Sequence, residues 1–167
     1  LSGIYNKEEI ETIKKVNQFR EIEINPIVQN LSFCVPPNQT KTVNDSYQIP
    51  NSFPALSLFG VFPHMHLIGK SIETYGLNLN GDTSKFIKVP NWDFEWQDYF
   101  IYKKPVKIPA GYKLFSSHVF DNTVNNPNNP HNPTINVTAG TGTNDEMLFD
   151  GMLYMYYQLG DEFIDIE

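Results

Sequence analysis

Apolar and polar residues alternate along most of the chain, which is the pattern of a half-buried β-strand. Asn80-Gly81 separates two such runs, and an Asn-Gly pair in this position is typical of a tight β-hairpin. Short strands at this spacing predict an all-β, antiparallel sandwich or barrel. The stretches that carry the pattern are EIEI, SFCVPPN, ALSLFGVFPHMH, SIETYGLNLNGDTSKFIKV, YFIYKKPVKIPAGYKLFSSHVF (two strands around the turn IPAG) and MLFDGMLYMYY.

The stretch NWDFEWQ also alternates, with Trp92, Phe94 and Trp96 on one side of a predicted strand. Because the three rings share a face, packing in the core explains them better than a carbohydrate-binding surface does.

Two segments depart from the strand pattern. In residues 6–20, Ile10, Ile13 and Val16 recur at spacing three and acidic residues precede basic ones, which predicts one short N-terminal helix or helical turn. We therefore divide the chain into a lead-in segment, 1–24, and a β-sandwich, 25–167. Residues 121–136, rich in Asn and Pro, predict a surface loop whose asparagines favour turns; a calcium site at Asp121 is the alternative.

Composition and charge narrow the function classes. A chain of 167 residues suits one domain, and a net charge of −7 with scattered Lys and Arg argues against a nucleic-acid partner. No apolar run reaches the roughly 18 residues of a membrane span. Cys34 is the only cysteine, and we expect it to be a small buried apolar side chain. The chain begins at Leu1 rather than Met, so we expect a mature or excised piece of something longer, which leaves secretion open. We expect an extracytoplasmic location, periplasmic or secreted.

Two histidines in FPHMHLIGK are the first candidates for chemistry. On one strand, His64 and His66 would share a face about 6.6 Å apart, with Met65 on the other face. Two imidazoles so placed can converge on one metal ion at about 2 Å from each nitrogen. The alternative is a pair of histidines that are merely hydrogen-bonded or exposed.

Because two protein ligands rarely suffice for a metal ion, a third should come from elsewhere in the chain. The candidates are His118, His131, Met147 and the carboxylates. His118 lies on a predicted strand and is a ligand, a group that orients a ligand, or a packed histidine. His131 lies in the Asn/Pro loop, where we expect it to be solvated. Met147 is a core side chain or a ligand.

Five motifs together resemble a known family. FPHMHLIGK, VPNWDFEWQ, IPAG, DNTVNNPNNP and GTNDEM occur in the order seen in the copper type II, ascorbate-dependent monooxygenases, the family of peptidylglycine α-hydroxylating monooxygenase and dopamine β-monooxygenase. The chain is similar, over about residues 25–160, to the C-terminal of that family's two copper domains, and most similar to bacterial, Bacteroidetes-type versions.

The resemblance implies a copper cofactor and an antiparallel, jelly-roll-like β-sandwich. It implies that His64, His66 and Met147 hold the catalytic copper, since a thioether suits Cu(I) and imidazole suits both oxidation states. His118, Asp145 and Glu146 are then candidates for groups that orient the ligands. The implied reaction hydroxylates a C–H bond of an unknown small-molecule or peptide substrate with O2 and an external reductant.

The chain also departs from the family. The family's second copper sits on three histidines of a separate N-terminal domain, and no histidine here precedes His64. We therefore expect an electron-donating domain or subunit as a partner; the alternative is a non-catalytic copper-binding or structural module of a larger assembly. Leu148 and His118 replace two bridged cysteines of the peptide-hydroxylating members. Residues 60–63 lack their arginine, so a peptide ending in glycine is not the expected substrate.

Overall fold

The structure is a computed structural model that describes residues 4–5, 23–78 and 80–166. Regular structure in these residues consists of strands and one short 3-10 turn. The strands are β1 (Ile4–Tyr5), β2 (Glu23–Asn30), β3 (Cys34–Val35), β4 (Gln39–Gln48), β5 (Leu56–His64), β6 (Gly69–Leu77), β7 (Thr83–Val89), β8 (Tyr99–Ile108), β9 (Lys113–Asn122), β10 (Val137–Thr138) and β11 (Leu148–Tyr156); the 3-10 turn spans Asp161–Phe163.

Two main antiparallel sheets form the sandwich. The first sheet has the strand order β1-β8-β5-β11-β2 and the second has β4-β9-β6-β7, while β3 and β10 form a small separate pair. The prediction of an all-β, antiparallel sandwich is confirmed, and its jelly-roll-like connectivity stays a prediction. The predicted N-terminal helix lies outside the described residues. β1 belongs to the predicted lead-in segment and pairs with β8, and the division at residue 24 stays a prediction.

The core lies between the two sheets. Along β9 every second residue is buried, from Leu114 to Asn122, so this strand presents one face to the first sheet. The outer face of the first sheet carries a second apolar cluster, against which Ile166 of the C-terminal segment packs. That cluster consists of Phe59, Ile101, Leu153 and Met155. The first sheet is therefore apolar on both faces, which is why β5 and β11 are buried along nearly their whole length.

Both sequence-predicted turns are present. β6 and β7 form a hairpin around Asn80-Gly81, where Gly81 has a φ of 87° and donates its N–H to the Asn78 carbonyl at 3.0 Å. The turn IPAG joins β8 to β9, with Gly111 at a φ of 73°. A positive φ of this kind costs glycine little, because it has no Cβ.

The prediction of a strand at NWDFEWQ is wrong. These residues form a loop between β7 and β8, in which the Asp93 carboxylate accepts the Glu95 N–H at 3.0 Å and its carbonyl accepts the Trp96 N–H at 3.2 Å. Such local bonds compete with a strand ladder for the same backbone groups. Trp92 packs against the core, whereas Trp96 is 67% exposed, so shared core packing of the two indoles is also wrong.

The Asn/Pro segment is a loop, as predicted, except that its first two residues, Asp121 and Asn122, end β9; the asparagines of the loop form its turns. Asn126 and Asn129 accept the backbone N–H groups two residues further on through their side-chain oxygens, at 3.0 Å in both cases. Asp121 pairs with Lys70 at 3.1 Å. Cys34 is half-buried rather than fully buried. No helix among the described residues is long and apolar enough to cross a membrane.

Candidate metal centre

The two candidate histidines stand where β5 ends. His64 is the last residue of the strand and His66 follows in a turn, closed by the Gly69 N–H on the His66 carbonyl at 3.2 Å. The expectation that both lie on one strand is therefore wrong for His66. The turn nevertheless brings the imidazoles together, with ring centroids 5.0 Å apart and planes at 78°. Met65 is fully buried in the core, on the side away from the rings, as expected.

The sheet register places His64 on the outer face of the first sheet. His64 is paired with Phe149 of β11, and the next pair, Pro63 with Asp150, is buried toward the core. Since side chains alternate between faces along a strand, His64 and Phe149 point outward together. Their ring centroids are 6.2 Å apart, and the Phe62 ring lies 6.1 Å from His64 and 6.3 Å from Phe149, so the three rings form one cluster.

The apolar surroundings of His64 change the pKa of its imidazole. Burial lowers the pKa of His64 below its ordinary value of 6.5, and the hydrogen bond to Gln97 opposes this shift. The positive charges that His66 and His118 carry when protonated lower the pKa further. His64 is therefore held in its neutral form, which is the form that binds a metal ion.

Hydrogen bonds fix which ring nitrogen of each histidine is free. His64 Nδ1 contacts the side-chain oxygen of Gln97, whose amide group is in turn oriented by donation to the Phe94 carbonyl at 2.6 Å. His66 Nδ1 lies 3.1 Å from the backbone carbonyl of Asp145. Both partners only accept, so both Nδ1 atoms carry the proton and both Nε2 atoms keep a free lone pair. Metal-binding histidines are typically oriented in this way.

Glu146 joins the two segments that carry the candidate ligands. Its carboxylate is fully buried, and one oxygen accepts the backbone N–H of His66 at 3.0 Å and that of Met147 at 3.2 Å. The other oxygen accepts the Ile68 N–H at 2.9 Å. Burial raises the pKa of Glu146 from 4.5 to about 7, against the opposing effect of these backbone N–H groups. The carboxylate acts on the backbone of the site and leaves the imidazole Nε2 atoms free.

Met147 is half-buried and immediately precedes β11. β11 pairs with β5 through Phe149 and His64, which brings the residue before β11 close to the residues after β5. The backbone N–H groups of Met147 and His66 both bind one carboxylate oxygen of Glu146, so the backbones of these two candidate ligands are neighbours.

The other predicted site residues lie apart from the two rings or act through their backbone. His118 is fully buried between the sheets, with Nε2 3.4 Å from the carboxylate of Asp150, on the core side of the first sheet. Asp145 contributes its carbonyl to His66, and its carboxylate accepts the Gly142 N–H at 3.1 Å. His131 Nε2 is 3.4 Å from the Asn144 carbonyl in the Asn/Pro loop region.

Sequence reasoning missed Gln97 and the partner of His118. Gln97 was one polar position of a stretch predicted to be a strand, so nothing local indicated a contact with His64. Asp150 stood out as an acidic residue in an apolar run, MLFDGMLYMYY, and a lone charge in such a run indicates a buried partner. That signal was available, but it does not identify His118.

The donor set itself indicates the kind of metal. Within the described part of the chain, no three His, Cys, Asp or Glu side chains are grouped to hold a metal ion. A site completed by Met147 would have two imidazoles and a thioether. Zinc rarely takes thioether ligands, whereas copper in its reduced state favours them. The residues present therefore fit copper.

Comparison with known proteins identifies a family of copper proteins. A family model described as "Copper type II ascorbate-dependent monooxygenase, C-terminal domain" matches residues 22–164. Among curated proteins, none matches the chain.

Proposed function

Because the chain belongs to the copper type II ascorbate-dependent monooxygenases, as a C-terminal domain of that family, we propose that it hydroxylates a C–H bond of its substrate with O2 and an external reductant. Copper is the family's cofactor, and we propose His64, His66 and Met147 as its ligands. When bound, copper would supply the one-electron chemistry that activates O2 and removes a hydrogen atom from carbon.

The two oriented imidazoles are the observation that carries this proposal. Their ring centroids lie 5.0 Å apart, and each ring is fixed by a hydrogen bond at Nδ1 that leaves Nε2 free. Holding ligands in place before the metal arrives reduces the conformational entropy lost on binding. A sandwich retained only for its shape would have no need of two oriented, half-buried or buried histidines at one strand end.

Aromatic side chains form the surroundings in which the substrate would approach. Phe62 and Phe149 flank His64, and Phe94 stands edge-on to His66 with ring centroids 6.0 Å apart. These rings displace water from the imidazoles and offer apolar contact to a substrate carbon. Phe62 lies in the segment where the peptide-hydroxylating members carry an arginine, so a substrate carboxylate would find no cation there.

The electrons for the reaction must come from outside this chain, because its two remaining histidines are not placed as ligands of a second, electron-transferring copper. His118 is engaged by Asp150 inside the core, and His131 lies in the Asn/Pro loop beside the Asn144 carbonyl. We therefore include an electron-donating domain, subunit or small reductant in the proposal, together with an extracytoplasmic location. The same observation favours a second candidate function, a copper-binding module without turnover in a larger assembly.

Oxygen uptake distinguishes the two candidates. The protein is loaded with copper, desalted to remove free metal, and mixed with ascorbate in an oxygen electrode. His64→Gln tests the site, and His131→Gln is the matched control, since His131 belongs to the Asn/Pro loop and is not one of the proposed ligands.

We expect copper-dependent oxygen uptake from the wild type and His131→Gln, and loss of both bound copper and uptake in His64→Gln. Bound copper without uptake above a protein-free blank, even when the reductant is varied, would support the module and contradict the enzyme. Equal copper content in His64→Gln and the wild type would contradict the site.

A further inference from the structure

A groove opens at the end of the sandwich beside the loop that connects β7 to β8. Its volume is about 190 Å³. We call it the tryptophan groove; it is lined by Lys88, Val89, Pro90, Asn91, Trp92, Asp93, Trp96, Asp98 and Phe100. The residues that line it follow His66 in the sequence, and none of them is a proposed copper ligand.

Three aromatic rings shape the groove. Trp92 is held in place because its indole N–H donates to the His66 carbonyl at 3.2 Å and its backbone N–H donates to the Lys70 carbonyl at 2.9 Å. Phe100 packs against the main core from the start of β8. Trp96 also lines the groove and is 67% exposed. An indole with this much exposed surface next to a preformed hollow is a common mark of a binding site.

The charges around the groove are unbalanced. Asp93 and Asp98 both line it, and each carboxylate accepts a nearby backbone N–H, from Glu95 at 3.0 Å and from Tyr99 at 2.7 Å. The one cation of the lining, Lys88, pairs with Glu73 at 3.3 Å, which offsets its charge. Two acidic residues thus line a mainly apolar, aromatic hollow, and their combined charge is negative.

We propose that the tryptophan groove binds a small organic cation through a quaternary or alkylated ammonium head group. Trp92, Trp96 and Phe100 offer ring faces to the cation, and Asp93 and Asp98 supply the opposite charge. Aromatic faces attract ammonium ions, and most strongly when the ion is desolvated. A cavity of about 150 Å³ accommodates a benzene ring, so the groove has room for one such head group and little more.

This site is independent of the proposed oxidation chemistry. Trp92 nevertheless connects the two, since it forms a wall of the groove and supports the carbonyl of His66. A bound cation would therefore lie one side chain away from the candidate metal centre. A neutral sugar would require more polar lining than the groove offers, and it becomes one outcome of the test.

The test compares three ligands on the metal-free full chain: choline, its uncharged isostere 3,3-dimethylbutan-1-ol, and glucose. Binding is followed by tryptophan fluorescence and by the NMR shifts of the two indole N–H groups. Trp96→Ala and Asp98→Asn remove the ring and the charge; the asparagine keeps an oxygen for the Tyr99 N–H. Phe163→Ala is the control, because Phe163 is 77% exposed and lies outside the groove.

We expect choline to bind saturably and roughly tenfold more tightly than its isostere, with affinity that falls as salt rises. Trp96→Ala and Asp98→Asn should each weaken choline binding by roughly tenfold or more, and Phe163→Ala should leave it unchanged. Equal binding of the isostere, stronger binding of glucose, absence of saturable binding, or an unchanged Trp96→Ala variant would each overturn the proposal.

Discussion

One buried carboxylate oxygen of Glu146 lies 3.0 Å from the backbone nitrogen of His66. The same oxygen accepts the N–H of Met147, so two segments far apart in the sequence are fixed to each other through one atom. The spacing of the candidate ligands therefore depends on a side chain that does not itself face the metal position.

Replacing Glu146 with glutamine should disturb the site more than the core. The amide has one acceptor oxygen in place of two. Some of the backbone N–H groups of His66, Ile68 and Met147 therefore lose their hydrogen-bond acceptor. Below the folded pKa of about 7, we expect a loss of about 1–3 kcal/mol in the free energy of unfolding and about 10–100-fold in copper affinity. Urea unfolding and competition with a copper chelator measure these two quantities. Glu95→Gln, an exposed change in the neighbouring loop, should alter neither.

The raised pKa of Glu146 gives the metal-free protein a distinct pH dependence. With a folded pKa of about 7 and an ordinary value of 4.5, the folded state keeps a proton that the unfolded state has released. The stabilisation is complete below pH 4.5 and is lost as the pH rises through about 7. Relative to Glu146→Gln, the wild type should lose about 3 kcal/mol between pH 4.5 and pH 8. A difference that stays constant, or grows with pH, in chelator-treated samples would contradict this assignment.

Gln97 should act on copper through His64. Gln97→Leu removes the acceptor of the His64 Nδ1 proton and the link to the Phe94 carbonyl, so the ring is free to rotate or change tautomer. We expect copper affinity to fall about 10–100-fold while the unfolding midpoint of the metal-free protein changes little. Gln48→Leu serves as control, since Gln48 bonds to the Gly111 carbonyl at the IPAG turn. Unchanged affinity in Gln97→Leu would show that the contact does not orient the ligand.

The contact between His118 and Asp150 should contribute to stability as a pair. Asp150 also accepts the Thr74 hydroxyl at 3.0 Å, whereas His118 Nδ1 and the second Asp150 oxygen have no hydrogen bond within the described residues. Asp150→Leu leaves the buried His118 imidazole without its carboxylate partner and should lower the free energy of unfolding by about 3–5 kcal/mol. The double variant Asp150→Leu with His118→Leu should lower it by less. Lys70→Leu, which breaks the ion pair with Asp121 at a side chain that is 53% exposed, should cost about 1 kcal/mol or less. Additive costs in the double variant would contradict coupling of the pair.

The alternation of apolar and polar residues was sufficient to predict most strands, because one side of each strand is buried. The two turns were predictable because their residues, Asn80-Gly81 and IPAG, are typical of turns. β4 shows the limit of that signal. It runs from Gln39 to Gln48 at the edge of the second sheet, and among its residues only Val43 is buried, so its sequence resembles a polar loop. The loop at Trp92 shows the reverse case, because Asp93 bonds locally and overrides an alternating pattern.

The sequence motifs were sufficient to predict the two histidines of the candidate centre, but not the contacts that hold them in place. His64 and His66 stand close together in sequence, so their proximity follows from local structure. Gln97 and Glu146 reach them from distant segments, and these contacts depend on where loops close over the sheet. No periodicity in the sequence encodes such contacts.

X-ray absorption of the Cu(I)-loaded protein tests the central claim most directly, because it distinguishes sulfur from nitrogen neighbours of copper. We predict one bound copper with nitrogen neighbours and one sulfur neighbour. The sulfur should disappear in Met147→Leu and remain in Met152→Leu, which changes a buried core methionine in β11, the strand that follows Met147. A spectrum without sulfur in the wild type, or a sulfur signal that survives Met147→Leu, would contradict the proposed centre of His64, His66 and Met147.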